Sequence, residues 1–106
     1  MTRAQSLLAS ALVSSGYVVA TEVRFHAVRK WRIDVTATRT DGTRKLAIEI
    51  DGGVWVGGRH TRGAGVEKDN EKIAHLAMDG WLFLRVTPGQ VSKGLAYTWA
   101  ARILDV

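Results

Sequence analysis

Arg32 to Gly53 reads RIDVTATRTDGTRKLAIEIDGG. Two alternating segments, Arg32–Thr38 and Lys45–Asp51, flank Asp41-Gly42, and Asp-Gly between alternating segments is a strong short signal for a β-hairpin. With Asp41 and Gly42 as the two central turn residues, cross-strand partners have numbers that sum to 83, so Asp34 faces Glu49 and Arg32 faces Asp51. Alternation places all four side chains on one face. Directly opposed residues have Cβ atoms roughly 4.5 to 5.5 Å apart, and like charges there repel. Asp34 and Glu49 therefore call for a cation or a shared proton. A polar hairpin face with an Arg32–Asp51 surface ion pair is the plainer reading, but it leaves Asp34 against Glu49 without a reason.

Outward from the hairpin, Thr2-Arg3-Ala4-Gln5 matches a capping box. Ala4, Leu8, Ala11 and Leu12 then share a helical face, and Gly16 offers a stop. Tyr17 to Phe25 is rich in β-formers and predicts the first strand. Gly52 to Gly65 holds six glycines with Arg59, His60 and Arg62 between them, the composition of a functional loop. Glu67 to Asp79 predicts a helix with Ile73, Leu76 and Ala77 inward, closed by Gly80. Trp81 to Val86 predicts a compact apolar strand, and Thr87-Pro88 the start of a last helix carrying Val91, Leu95, Trp99 and Ile103 on one stripe. The order α-β-β-β-α-β-α, with a crossover through the middle helix, predicts an α/β fold: a mixed four-stranded sheet flanked by helices, its last strand parallel to the Glu49 strand.

The 106 residues are expected to form one domain, 1–106, with 46% hydrophobic and 24% charged residues, the balance of a globular protein. The absence of cysteine excludes disulfides and thiolate metal sites. No apolar run reaches membrane-spanning length, and the N-terminus lacks the order of a signal peptide, which points to a cytoplasmic protein with no membrane partner. Fifteen Lys and Arg, ten of them Arg, against ten Asp and Glu give a formal net charge of +5. Such an excess suits a polyanionic partner, nucleic acid before anionic lipid.

A hard divalent cation takes oxygen ligands, and Mg²⁺ is usually held by one or two carboxylates plus waters and phosphate oxygens. Asp34 and Glu49 fit that description, with the Ile50 carbonyl as a further ligand. Here the residues carry a resemblance. Asp34, followed after a hairpin by Glu49-Ile50-Asp51, resembles the core of the PD-(D/E)XK nuclease superfamily, whose fold is the restriction-endonuclease-like core. Gly52-Gly53, Trp55, Gly58-Arg59-His60, Asp69-Asn70-Glu71-Lys72 and Gly80-Trp81 leading to Leu84-Arg85 resemble small phage nucleases of that superfamily. Within it, virus-type replication-repair nuclease (VRR-NUC) domains and very-short-patch-repair-like endonucleases are the nearest groups, over roughly residues 20 to 92.

The resemblance implies a metal-dependent endonuclease using Mg²⁺, or Mn²⁺ in its place, to hydrolyse a DNA phosphodiester. Asp34, Glu49 and Ile50 would hold the metal. Asp51 stands where the general motif has lysine; it would complete the metal shell, bind a second ion or orient the water. Lys72, Lys68 and His60 are the candidates for the missing lysine's work. Glu22, near the end of the first strand, would by the same resemblance assist the metal, its plainer reading being a solvated strand-end glutamate. Asp69 and Lys72, three apart on a helix, would by themselves form an ion pair. For nucleic-acid contact the basic candidates are Arg29, Lys30 and Arg32 around Trp31, together with Arg59, Arg62 and Lys68. By analogy with stand-alone VRR-NUC domains, branched DNA such as a four-way junction is the expected substrate, in phage or prokaryotic recombination and repair, with no small-molecule substrate. Symmetric cutting of two strands would need a homodimer. The alternatives are a binding module that has lost catalysis and a nuclease indifferent to DNA or RNA.

Overall fold

The structure is a computed structural model that describes residues 1–51 and 63–105. Thr2 opens α1 (Arg3–Ser14): its hydroxyl accepts from the Gln5 N–H, and the Gln5 side chain accepts from the Thr2 N–H, which is the capping box expected. Gly16, at φ +92°, ends the turn after it. Then follow β1 (Val18–Arg24), β2 (Arg32–Thr38), β3 (Lys45–Ile50), α2 (Gly63–Met78), β4 (Leu82–Val86), α3 (Pro88–Ser92) and α4 (Leu95–Asp105). The sheet order is β1-β2-β3-β4, with β1, β2 and β3 antiparallel and β4 parallel to β3.

The hairpin register is the expected one: Val35 pairs with Ile48, Thr36 with Ala47, Ala37 with Leu46 and Thr38 with Lys45, each sum being 83. The turn that sets it differs. Arg39 N–H donates to the Arg44 carbonyl and Gly42 N–H to the Arg39 carbonyl, so the loop has Thr40 and Asp41 at its corner and Gly42 beyond it at φ +76°. The Asp41 carboxylate accepts from the Thr43 N–H and hydroxyl, and these donors hold its pKa below the ordinary 3.8. The longer loop is centred on the same point, so the register survives the change of turn.

Two apolar clusters anchor the helices. Leu8 and Leu12 of α1 and Ala96, Ala100 and Leu104 of α4 pack with Val35, Ala37, Leu46 and Ile48. Leu76 of α2 packs with Ala47 and Ile33, bordered by Trp81 and Phe83. Trp31 lies partly buried against Phe25, their rings 6.0 Å apart and nearly parallel, and Trp99 packs on the first cluster. Trp55 lies outside the described residues.

Two expectations for the helices fail. α2 begins at Gly63, four residues before the expected Glu67, because its first turn uses glycine and alanine that composition alone assigns to a loop. The single C-terminal helix is two: Lys93 caps α3, Gly94 takes φ +81°, and α4 restarts at Leu95. The interruption shifts the helical phase. Leu95 is thus left 40% exposed, while Ala96, Ala100 and Leu104 point inward.

Candidate active site

Asp34 and Glu49 meet where the hairpin arithmetic puts them. The Asp34 N–H donates to Glu49 Oε2 at 3.1 Å, and the Ile50 N–H donates to Asp34 Oδ2 at 2.8 Å. Each acidic side chain is therefore fixed by a backbone amide of the neighbouring strand, which satisfies one oxygen of each and restricts both rotamers. From the other side, Gln5 of α1, nearly fully buried, reaches over so that its Nε2 donates to the Asp34 carbonyl at 3.3 Å. The capping residue of the first helix thus also braces the strand that carries Asp34.

Lys72 arrives from α2. Its ammonium donates to Glu49 Oε1 and, at 2.6 Å, to the Arg32 carbonyl. The side chains of Glu49 and Lys72 are only 14% and 18% exposed, so this pair is largely removed from water, where its partners depend on each other far more than surface ions do. Burial pushes the Glu49 carboxyl above its ordinary 4.5, and the neighbouring Asp34 charge adds to the push; the Lys72 ammonium and the Asp34 N–H act against both. The expected Asp69–Lys72 ion pair does not form. Lys72 goes to Glu49, and Asp69 turns to Arg85, 3.9 Å away.

These groups border a cleft of about 190 Å³ lined by Asp34, Glu49, Ile50, Asp51, Asp69 and Arg85. β3 ends at Ile50, and the Asp51 N–H continues the parallel ladder by donating to the Val86 carbonyl at 2.7 Å. That bond aligns Asp51 with β4. Arg32 does not pair with Asp51 as the extended register implied; its guanidinium bonds Glu22 at 3.2 Å. Glu22 is the one non-glycine residue among those described with positive φ, +52°. It falls between the Thr21–Val35 and Val23–Ile33 pairs, and its carboxylate is directed to Arg32 rather than to the cleft.

Of the other expected site residues, Arg29 forms an ion pair with Glu71 and lies 4.9 Å from the centre of the Trp31 ring. His26 Nδ1 accepts from the N–H groups of Val28 and Arg29, which folds the β1–β2 connection back on itself, and its ring lies 4.8 Å from that of His75. Lys30 and Lys68 are exposed. His60, Arg59 and Arg62 lie outside the described residues. Arg85 and Asp69 are cleft residues that sequence reasoning did not assign to the site. The available signal was the parallel placement of Trp81–Val86 beside the Glu49 strand, which brings Arg85 level with Glu49.

The donor set suits a hard divalent cation. Asp34 on β2 and Glu49 on β3 present fixed carboxylate oxygens, Ile50 and Asp51 follow Glu49 along the chain, and Mg²⁺ needs only one or two carboxylates from a protein. Among the described residues, no three His, Asp or Glu side chains come together as a group that could hold a metal ion.

Sheet order, the parallel last strand and the helices packed on the sheet define a mixed α/β core, a four-stranded sheet flanked by helices. The catalytic domain of the homing endonuclease I-Bth0305I shares this fold, with a TM-score of 0.60 at 20% sequence identity over 96% of this chain and 92% of that one. No protein-family model and no curated protein sequence matches the chain. Among the described residues no helix is long and apolar enough to cross a membrane.

Proposed function

We propose that the protein is a metal-dependent DNA endonuclease. The observation that carries this reading is the locked pair of Asp34 and Glu49 with the Lys72 ammonium on Glu49, set in an acidic cleft of a fold shared with a homing endonuclease catalytic domain. Asp34, Glu49 and the Ile50 carbonyl would hold Mg²⁺ or Mn²⁺, with Asp51 beside them. Bound there, the cation supplies charge neutralisation at a phosphate and a more acidic water. The Lys72 ammonium lowers the Glu49 pKa against the burial that raises it. With its ammonium on Glu49 Oε1, Lys72 would take over from α2 the work of the motif lysine that Asp51 replaces. A binding module that had lost catalysis has no use for a largely buried lysine held on Glu49.

Arg29, Lys30 and Arg32 lie in or beside the β1–β2 connection and Lys68 lies on α2; Arg29 and Arg32 are ion-paired with Glu71 and Glu22, and as a basic set these residues would follow a phosphate backbone without reading bases. We infer a preference for DNA structure over sequence, with branched DNA as the substrate and a two-fold homodimer as the unit that cuts both strands. Competition between labelled four-way junction, linear duplex and single-stranded DNA, with sedimentation of the protein alone and on the junction, tests this. Preferential junction cutting by a dimer is expected; equal cutting of all three by a monomer contradicts it.

A further inference from the structure

We propose that Arg85 receives the phosphate of the substrate in this cleft and that Asp69 positions its guanidinium for that contact. The proposal deepens the nuclease reading and rests on it for the identity of the polyanion. Glu49 and Arg85 are register partners on parallel strands, so their side chains leave the same face of the sheet, one strand spacing of about 4.8 Å apart. The Arg85 guanidinium lies 5.7 Å from the centre of the Phe83 ring, its neighbour two residues back on the same face, and its Nη2 is 3.9 Å from Asp69 Oδ2.

The charge pattern of the cleft asks for such a group. Asp34, Glu49, Asp51 and Asp69 all line it, and Arg85 is the cation that lines it with them among the described residues. The Lys72 ammonium is already committed to Glu49 and to the Arg32 carbonyl. Among the described residues, a phosphodiester entering beside four carboxylates therefore meets one loosely held guanidinium, which offers two N–H donors in parallel to two phosphate oxygens.

The hold on Arg85 is of the releasable kind. Its side chain is 43% exposed and that of Asp69 is 58% exposed, and at 3.9 Å the pair is an ion contact without a hydrogen bond. Exposed pairs of this sort contribute little to stability. What the pair can do is orient. Phe83 flanks the guanidinium, Asp69 aligns its edge, and phosphate can replace Asp69 as the partner.

The test measures binding of a labelled DNA duplex by fluorescence anisotropy in EDTA across a salt series, with cleavage kinetics in Mg²⁺ run in parallel. The proteins are the wild type, Arg85→Ala, Arg85→Gln, Arg85→Lys and Asp69→Asn, and thermal melts establish which variants fold. Arg85→Ala and Arg85→Gln are expected to bind about tenfold more weakly and to lower the slope of log affinity against log salt by about one unit. Arg85→Lys should keep the slope and lose cleavage rate, because a point charge replaces the fork. Asp69→Asn should keep both slope and KM while lowering kcat, a split that loss of fold would not produce. A folded Arg85→Gln with wild-type affinity and slope overturns the proposal, whether or not the wild type cuts. A reduced slope with no cutting by the wild type supports the phosphate contact while the nuclease reading fails. A wild type that neither binds nor cuts overturns both.

Discussion

Lys72 on α2 donates to Oε1 of Glu49 on β3, 23 residues earlier in the chain. A lysine from a helix thereby sits on the carboxylate of a strand whose own motif position holds Asp51. If this contact stands in for the motif lysine, removing its charge acts on the chemical step. Lys72→Met is expected to lower single-turnover cleavage about 10²- to 10³-fold, the effect typical of losing one charge-stabilising donor, while DNA affinity in EDTA changes little. Equal losses in binding and rate would assign Lys72 to DNA contact instead.

The largely buried position of Glu49 predicts a pH signature in the metal-free protein. Its folded pKa lies above the ordinary 4.5, chiefly because burial disfavours the carboxylate. The folded chain therefore holds this proton more tightly than the unfolded chain. Its contribution to stability falls as pH rises from about 4.5 through the folded value, and the penalty is complete above that value. Glu49→Gln removes the titration. Urea unfolding in EDTA between pH 4 and 8 should show the stability of Glu49→Gln, relative to wild type, improving as pH rises over that window. A difference that is flat or moves the other way contradicts the raised pKa.

Gln5 joins the capping of α1 to the carbonyl of Asp34. Gln5→Ala removes both contacts from a nearly buried position and is expected to cost roughly 1 to 2 kcal/mol of folding stability. Because the brace is on the Asp34 strand, metal affinity measured calorimetrically should fall with it. Thr2→Ala, which breaks the cap alone, should lower stability and leave metal affinity unchanged.

How far the sequence carried the fold depended on whether a local signal or tertiary packing decided each feature. The meeting of Asp34 and Glu49 was legible because the Asp-Gly centre fixes the register, and the register held even though Arg39 and Arg44 close a longer loop than the two-residue turn. The break at Gly94 was not legible. Val91, Leu95, Trp99 and Ile103 keep an unbroken helical period, and only the packing of Ala96, Ala100 and Leu104 against the sheet selects the shifted phase. Lys72 was visible as a candidate, but the spacing to Asp69 suggested a partner on its own helix, whereas docking of α2 through Leu76 turns it toward Glu49. Arg85 was hidden inside an apolar strand, since its nearness to Glu49 comes from a parallel ladder that no local turn sets.

The most direct test of the central claim is cleavage of labelled DNA by the wild type, Asp34→Asn and Glu49→Gln, each with Mg²⁺, Mn²⁺ or EDTA. Cutting is expected to need the cation and to disappear in both variants while they still fold and bind DNA. Cutting that persists in EDTA, or that survives both substitutions, would contradict it.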